Sequence, residues 1–332
     1  MRVVVVGGGT WGTGFSRLLA DRGHSVVLAT RSPQQADAIR ATGHNPRFLV
    51  HVDLRGIEAV PVVEAPLLDA ELIVLALPSS AFAAVAATLP GQAPVLSLTK
   101  GLDPGTGERL STLVRGRPVA VLSGPNMAEE VAAGLPAATV IASEDAGLAH
   151  TLQEAINSSL FRVYVNDDLI GVELCAAAKN VIALAAGGVD VLGLGDNAKA
   201  ALMTRGLVEM ARLGEALGAD PETFSGLAGM GDLIVTCWHP TGRNRLAGEL
   251  IARGASPEEA KAEIGQVVEG LTTAPVLRDL SRRLGIELPI TEGVCAVLEG
   301  RPLHELAGDL MGRRPTEEYP TRLVPEQPGT SR

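Results

Sequence analysis

The chain begins Met1-Arg-Val-Val-Val-Val6 and runs straight into Gly7, Gly9 and Gly12, after which an Ala/Leu-rich segment continues to Asp21. No other stretch limits the fold so tightly. Four consecutive valines suit a strand buried on both faces, as in the interior of a parallel sheet. Gly7 permits a tight turn, Gly9 lets the backbone approach a pyrophosphate, and Gly12 lets a helix pack closely on the strand. The helix expected from about Trp11 to Asp21 then aims free N–H groups and its positive dipole end at the phosphates. Strand, glycine turn and helix thus follow one another in the order of a dinucleotide site. Thr10 and Trp11 lie beside the phosphates, with the Trp11 ring expected to pack and its backbone to face the ligand.

A second strand is predicted over His24–Arg31, ending about twenty residues after the glycines, where NAD-selective sites commonly carry an acidic residue for the ribose hydroxyls. Here Thr30 and Arg31 stand instead. A guanidinium can grip the 2′-phosphate of NADP or stack on adenine. The residues therefore favour NADP and leave NAD open. Ser32-Pro33 reads as the start of the next helix, with Ser32 as cap and Pro33 in the first turn.

At 332 residues, with 46% hydrophobic and only 3% aromatic side chains, two domains packed through Ala, Val, Leu and Gly are expected. A net charge of −10 argues against nucleic acid or an anionic membrane as the main partner. No leader is expected, since Met1 leads directly into a strand. No stretch reads as long and apolar enough to span a bilayer; the nearest, Leu174 to Gly195, contains Lys179, Asn180 and Asp190. Cys175, Cys237 and Cys295 lie far apart without a CxxC pair, which points to reduced, buried thiols in a cytoplasmic protein and to no metal site.

Strand and helix signals alternate to about residue 165. Further strands are expected over Glu71–Leu77, Val95–Leu98, Pro118–Leu122, Ala138–Ala142 and Phe161–Val165, with a helix over Ala81–Leu89 capped by Ser79-Ser80. Beyond Asp168 the signals become helical, over Leu169–Val191, Asn197–Gly218, Gly242–Arg253, Pro257–Gly265 and Thr273–Leu284. The expected fold class is α/β: an N-terminal Rossmann-type doubly wound sheet followed by an all-helical C-terminal domain. The expected division is 1–168, 169–314 and a flexible tail over 315–332, which is rich in Pro, Glu and Arg. On such sheets ligands sit beyond the carboxyl ends of the strands. Thr10-Trp11, Pro78-Ser79, Lys100 and Gly124–Asn126 all follow strands and should converge on one crevice.

Lys179 is the only charge in Leu-Cys-Ala-Ala-Ala-Lys-Asn-Val-Ile-Ala-Leu-Ala-Ala-Gly-Gly. An ammonium on a buried helix needs partners or a lowered pKa, and such a lysine can give and take a proton near neutral pH. Asp232 sits in what reads as a tight, Gly-flanked turn before an apolar run. Arg243 and Asn244 stand near a helix start, where a guanidinium and free N–H groups make a phosphate clamp. His239 and Trp238 read as structural.

Taken in order, Gly-Gly-Gly-Thr-Trp-Gly-Thr, Leu-Thr-Lys100-Gly, Ser-Gly124-Pro-Asn-Met-Ala-Glu-Glu, Ala-Ala-Lys179-Asn-Val-Ile-Ala, Gly-Leu-Ala-Gly-Met-Gly-Asp232-Leu and Gly-Arg243-Asn-Arg resemble the bacterial type of NAD(P)-dependent sn-glycerol-3-phosphate dehydrogenase. The resemblance extends from residue 3 to about residue 312. It implies reversible hydride transfer between NAD(P)H and dihydroxyacetone phosphate, giving sn-glycerol 3-phosphate for phospholipid synthesis, in a homodimer. It implies Lys179 as the general acid/base, Lys100 as a second lysine near substrate and cofactor, and Asp232 as a substrate-side carboxylate that orients Lys179. Two neighbouring ammonium groups would lower each other's pKa. Gly124 and Asn126 match substrate contacts and Ala128 a cofactor contact. Arg243 and Asn244 match the phosphate end, with Arg243 also near the cofactor. Val267 and Glu269 match a late segment that reaches back to the cofactor.

Two departures stand out. The family usually carries Ser before the Arg-Asn pair, and here Gly242 leaves Thr241 or its own N–H to replace that hydroxyl. Met127 stands where an aromatic is common. A ketopantoate-type or hydroxyacid dehydrogenase on the same plan, and a non-catalytic NADP-sensing protein, remain as other readings.

Overall fold

The computed structural model describes residues 1–306. The end of the expected helical domain, 307–314, and the expected tail, 315–332, lie outside the described residues.

Eight strands form one sheet: β1 Arg2–Val6, β2 Ser25–Thr30, β3 Glu58–Pro61, β4 Leu72–Leu75, β5 Val95–Ser97, β6 Val119–Ser123, β7 Ala137–Ala142 and β8 Phe161–Asn166. Their spatial order is β3-β2-β1-β4-β5-β6-β7-β8. Val4 of β1 lies between Val27 of β2 and Ile73 of β4, both parallel to it. Val3 to Val6 are each at most 2% exposed, as an unbroken valine run in a doubly covered sheet requires. The winding reverses between β1 and β4, so the crevice past their carboxyl ends is the topological switch point where such sheets hold ligands.

Two features depart from the sequence expectation. β3 is an additional strand, four residues long at the sheet edge, too short to show a periodicity. β7 runs antiparallel to β6. The segment between them carries only the short helix Ala128–Ala132, which packs on the first helix instead of crossing the sheet.

The helices around the sheet are α1 Thr10–Asp21, α2 Pro33–Thr42, α3 Ser79–Ala86, α4 Ala128–Ala132 and α5 Ala146–Ile156. Ser32 caps α2 through its side chain with Pro33 in the first turn, as expected. α3, by contrast, has no side-chain cap, because its N-cap position is Pro78 and Ser79 already lies in the first turn. Beyond β8 come α6 Leu169–Val191, α7 Gly195–Ala216, α8 Pro221–Ser225, α9 Asp232–Trp238, α10 Arg243–Ala252, α11 Pro257–Ile264, α12 Glu269–Leu284 and α13 Pro289–Leu298. α8, α9 and α13 were not expected, and α12 opens four residues before the expected Thr273, at Glu269.

α6 is the axis of the helical half, with α7, α9, α10 and α12 packed around it. An 18-residue window of this 23-residue helix has a mean hydropathy of 1.7, so by length and composition it could cross a membrane, contrary to the sequence expectation. Of its most apolar window, 89% is buried within the protein. Its apolarity is that of a helix enclosed on every side by others.

Candidate active site

Gly7 has φ +121°, and a Cβ there would lie 2.2 Å from the Ala76 carbonyl oxygen. A Cβ on Gly12 would lie 1.8 Å from the Gly7 oxygen. Both positions demand glycine because backbone meets backbone. Gly9 differs: a Cβ there would meet nothing within 4 Å. It is the N-cap of α1 and supplies no side-chain cap, so the first N–H groups of α1, at Thr10 and Trp11, have no intrahelical acceptor. Open space beside unsatisfied N–H groups at a helix N-terminus is what a pyrophosphate needs. The Trp11 ring packs edge-on against Phe15 at 5.7 Å. Arg31 directly follows β2 and is exposed.

The late segment comes back to the same turn. Thr10 Oγ1 donates to Gln266 Oε1 at 3.1 Å, and the Arg47 guanidinium donates to the Gly265 carbonyl at 2.7 Å. Glu269, at the start of α12, accepts from Ser79 N at 3.0 Å and from Ser79 Oγ at 2.6 Å. Burial raises the Glu269 pKa, against the opposing effect of these bonds. Val267 accepts at its carbonyl from Arg243 Nη1 at 3.1 Å. Ala128 is buried at the start of α4, with its carbonyl turned toward Gly14 of α1.

Three ionisable groups from three elements meet beyond the sheet. Lys179 on α6 is 4% exposed, and Asp232 at the start of α9 is 2% exposed. Lys179 Nζ donates to Asp232 Oδ1 at 2.6 Å and to Thr236 Oγ1 at 2.8 Å. Lys100, after β5, donates to Asp232 Oδ2 at 2.8 Å, Asn126 Oδ1 at 3.1 Å and the Gly124 carbonyl at 3.2 Å. Gly124 and Asn126 thus hold Lys100 in place. Burial pushes the Lys179 pKa down to about 7, with Asp232 opposing the shift and Lys100 adding to it. Asp232 is itself buried, yet the two ammonium groups hold its carboxyl below the usual range. A lysine poised near neutrality against a fixed carboxylate can exchange a proton with a bound oxygen.

Asp232 does not sit in a tight turn. Residues Leu227–Gly231 form a π-helical turn that feeds into α9. Asp232 and Thr236 are therefore one helical turn apart on one face, which is why Thr236 joins Lys179. Sequence reading missed Thr236 for want of that helix. It also missed Asn180, whose Nδ2 donates to the Lys100 carbonyl at 3.2 Å and whose Oδ1 accepts from Asn244 Nδ2 at 2.8 Å. Asn244 Oδ1 accepts in turn from Gly270 N at 2.9 Å. A second polar residue beside Lys179 in so apolar a helix was the available signal.

At the start of α10, neither expected substitute for the serine hydroxyl is free. The Gly242 N–H donates to the His239 carbonyl at 3.0 Å, and Thr241 Oγ1 lies 3.0 Å from His239 Nδ1. What remains is the uncapped first turn of α10 with the Arg243 guanidinium beside it. Arg31 and the Lys179 cluster, by contrast, belong to different regions: one follows β2, the other spans β5, α6 and α9.

Comparison with known proteins agrees with this layout. A family model described as NAD-dependent glycerol-3-phosphate dehydrogenase N-terminus matches residues 2–149, and one described as its C-terminus matches residues 168–306. The chain is 46% identical over 330 residues to a glycerol-3-phosphate dehydrogenase (NAD(P)+) of Parafrankia sp. (strain EAN1pec), covering 96% of this chain and 99% of the relative. A protein of the same name from Chlorobium phaeobacteroides is 41% identical over 333 residues, covering 96% of this chain and all (100%) of the relative. The crystal structure of glycerol-3-phosphate dehydrogenase from Coxiella burnetii superposes with a TM-score of 0.90 at 37% identity, covering 94% of this chain and 99% of the other.

Proposed function

The chain belongs to the NAD-dependent glycerol-3-phosphate dehydrogenase family, and on that premise we propose how its residues carry out the interconversion of dihydroxyacetone phosphate and sn-glycerol 3-phosphate. It is an NAD(P)-dependent oxidoreductase acting on a CH–OH group. The division into a cofactor half, 1–168, and a substrate half from 169 is part of the proposal. It is supported by the last strand ending at Asn166 and α6 starting at Leu169.

Gly7, Gly9 and Gly12 with the N–H groups of Thr10 and Trp11 hold the pyrophosphate, and Arg31 meets the adenosine ribose or its 2′-phosphate. Ala128, Lys100, Arg243, Val267 and Glu269 complete the cofactor's surroundings. The reduced nicotinamide, when bound, supplies the hydride to the substrate carbonyl carbon. Lys179 Nζ donates a proton to the carbonyl oxygen, which becomes the hydroxyl. In the oxidising direction the neutral amine takes that proton back. Lys100 stabilises negative charge on the same oxygen. Asp232 fixes both ammonium groups at their hydrogen-bonding distances, so neither must be reoriented as charge develops. The Arg243 guanidinium with the uncapped N–H groups of Arg243 and Asn244, in the first turn of α10 just past Gly242, binds the substrate phosphate. Gly124 and Asn126 fix Lys100 toward the substrate.

The single observation carrying this reading is the buried Lys179–Asp232–Lys100 cluster. Absorbance of NADPH and NADH in the presence of dihydroxyacetone phosphate tests it, with ketopantoate as competitor substrate. Consumption with dihydroxyacetone phosphate and not with ketopantoate is expected. Turnover of ketopantoate alone would refute the assignment, and cofactor binding without any turnover would leave a sensing protein. A homodimer in the cytoplasm completes the proposal. The family resemblance supports the dimer, and three free, buried cysteines support the location.

A further inference from the structure

The Gly8 carbonyl in the glycine turn is gripped from outside the turn. Gln35 Nε2 on α2 donates to it at 2.7 Å and Asn45 Nδ2 at 3.1 Å. Asn45 is fully buried, at 0% exposure, and lies in the loop after α2, far in sequence from the glycines. Its second Nδ2 hydrogen goes to Thr13 Oγ1 at 2.8 Å, in the first turns of α1. Its Oδ1 accepts from Arg47 N at 3.1 Å, Phe48 N at 3.2 Å and Gln35 Nε2 at 3.2 Å. Two acceptors face one end of the amide and three donors face the other, so its orientation is fixed and only Asn has both sets of atoms at this length.

In a planar trans peptide the carbonyl and the following N–H point in opposite directions, and no cis peptide bond occurs among the described residues. Holding the Gly8 oxygen toward Gln35 and Asn45 therefore turns the Gly9 N–H the other way. Gly9 is also the glycine of the turn beside which a Cβ would meet nothing within 4 Å. We infer that Asn45, with Gln35, is a positioning residue for cofactor binding: the pair locks the Gly8–Gly9 peptide in the orientation that presents the Gly9 N–H to a pyrophosphate. Without that grip the flexible diglycine peptide samples other orientations, and the donor is pre-set for only part of the time.

This inference rests on the reading of the glycine turn as a dinucleotide site. The test titrates the full chain, Asn45→Asp and Gln35→Met with NADPH and with adenosine 2′-monophosphate, which lacks the pyrophosphate. Asn45→Asp keeps the acceptor and removes the bonds donated to the Gly8 carbonyl and Thr13; Gln35→Met removes those donated to the Gly8 carbonyl and Asn45, without adding charge. The NADPH dissociation constant should rise about tenfold in Asn45→Asp and about threefold in Gln35→Met, the effect of one or two lost hydrogen bonds. Adenosine 2′-monophosphate affinity should stay within about twofold, as expected if only the phosphate cradle is disturbed. In steady state, KM for NADPH should rise while kcat and KM for dihydroxyacetone phosphate hold. Unchanged NADPH affinity in Gln35→Met overturns the inference, even where Asn45→Asp fails to fold. An equal loss for both ligands overturns it too, since that marks general damage. An unmutated chain that binds no NADPH would instead refute the cofactor reading underneath.

Discussion

Lys179 Nζ lies 2.6 Å from Asp232 Oδ1, across 53 residues of chain and between two different helices. The second oxygen of that carboxylate is taken by Lys100 at 2.8 Å. One buried anion thus sets the spacing and direction of two cations. Removing either cation leaves the carboxylate still paired, which makes the roles of the lysines separable by mutation.

Lys179→Met keeps much of the stem volume and deletes the ammonium. The rate with dihydroxyacetone phosphate should fall by about a thousandfold, within the range for loss of a general acid. NADPH affinity, measured by titration, should hold. A variant turning over at near the original rate would remove Lys179 from proton transfer.

The pH dependence should have opposite signs in the two directions. Reduction requires the ammonium form of Lys179, whose pKa burial pushes down to about 7 in the unliganded protein, so kcat/KM for reduction should decline as pH rises through that value. Oxidation requires the neutral amine, so its kcat/KM should climb over the same interval. Initial rates in both directions across the neutral range test this; parallel profiles would contradict it.

Arg243→Ala should act on binding. Loss of a charge-assisted contact to phosphate raises KM for dihydroxyacetone phosphate by about ten- to hundredfold, with a smaller effect on kcat. An unchanged KM would place the substrate phosphate elsewhere.

Arg31→Asp replaces a group suited to a 2′-phosphate by one suited to ribose hydroxyls. The ratio of kcat/KM for NADPH to that for NADH should drop by about tenfold or more, since one charge-assisted pair is lost and a repulsion gained. A constant ratio would mean that Arg31 does not read the 2′-position.

Gly12→Ala forces a Cβ to 1.8 Å from the Gly7 oxygen, and neither backbone can give way cheaply. The melting temperature should fall by several degrees or more, about 2 kcal/mol of stability, and cofactor KM should rise. A variant with both unaltered would contradict the close packing of α1 on the turn.

The motifs that carry chemistry were legible because each is local. The valine run, the glycines and the lone lysine of α6 each lie within one element, where periodicity and steric demand are written in neighbouring residues. β3 escaped because four residues show no period, and α9 escaped because Gly229 and Gly231 mimic a turn. Missing α9 concealed Thr236, whose place on Lys179 depends on a helical turn beginning at Asp232. Gly242 shows the reverse difficulty. Sequence offered Thr241 or the Gly242 N–H as substitutes for a hydroxyl, while folding had committed both to His239.

Sequence alone determined that strand, glycine turn and helix would succeed one another and that an ammonium would be enclosed in an apolar helix, since both follow from the preferences of adjacent residues. Tertiary structure alone decided that Asp232 would face both lysines, that Asn180 would join Lys100 to Asn244, and that Asn45 would reach the Gly8 carbonyl. Those partners are brought together from distant parts of the chain by the packing of whole elements, and burial then makes each hydrogen bond obligatory, because an unpaired polar group away from water is too unfavourable to persist.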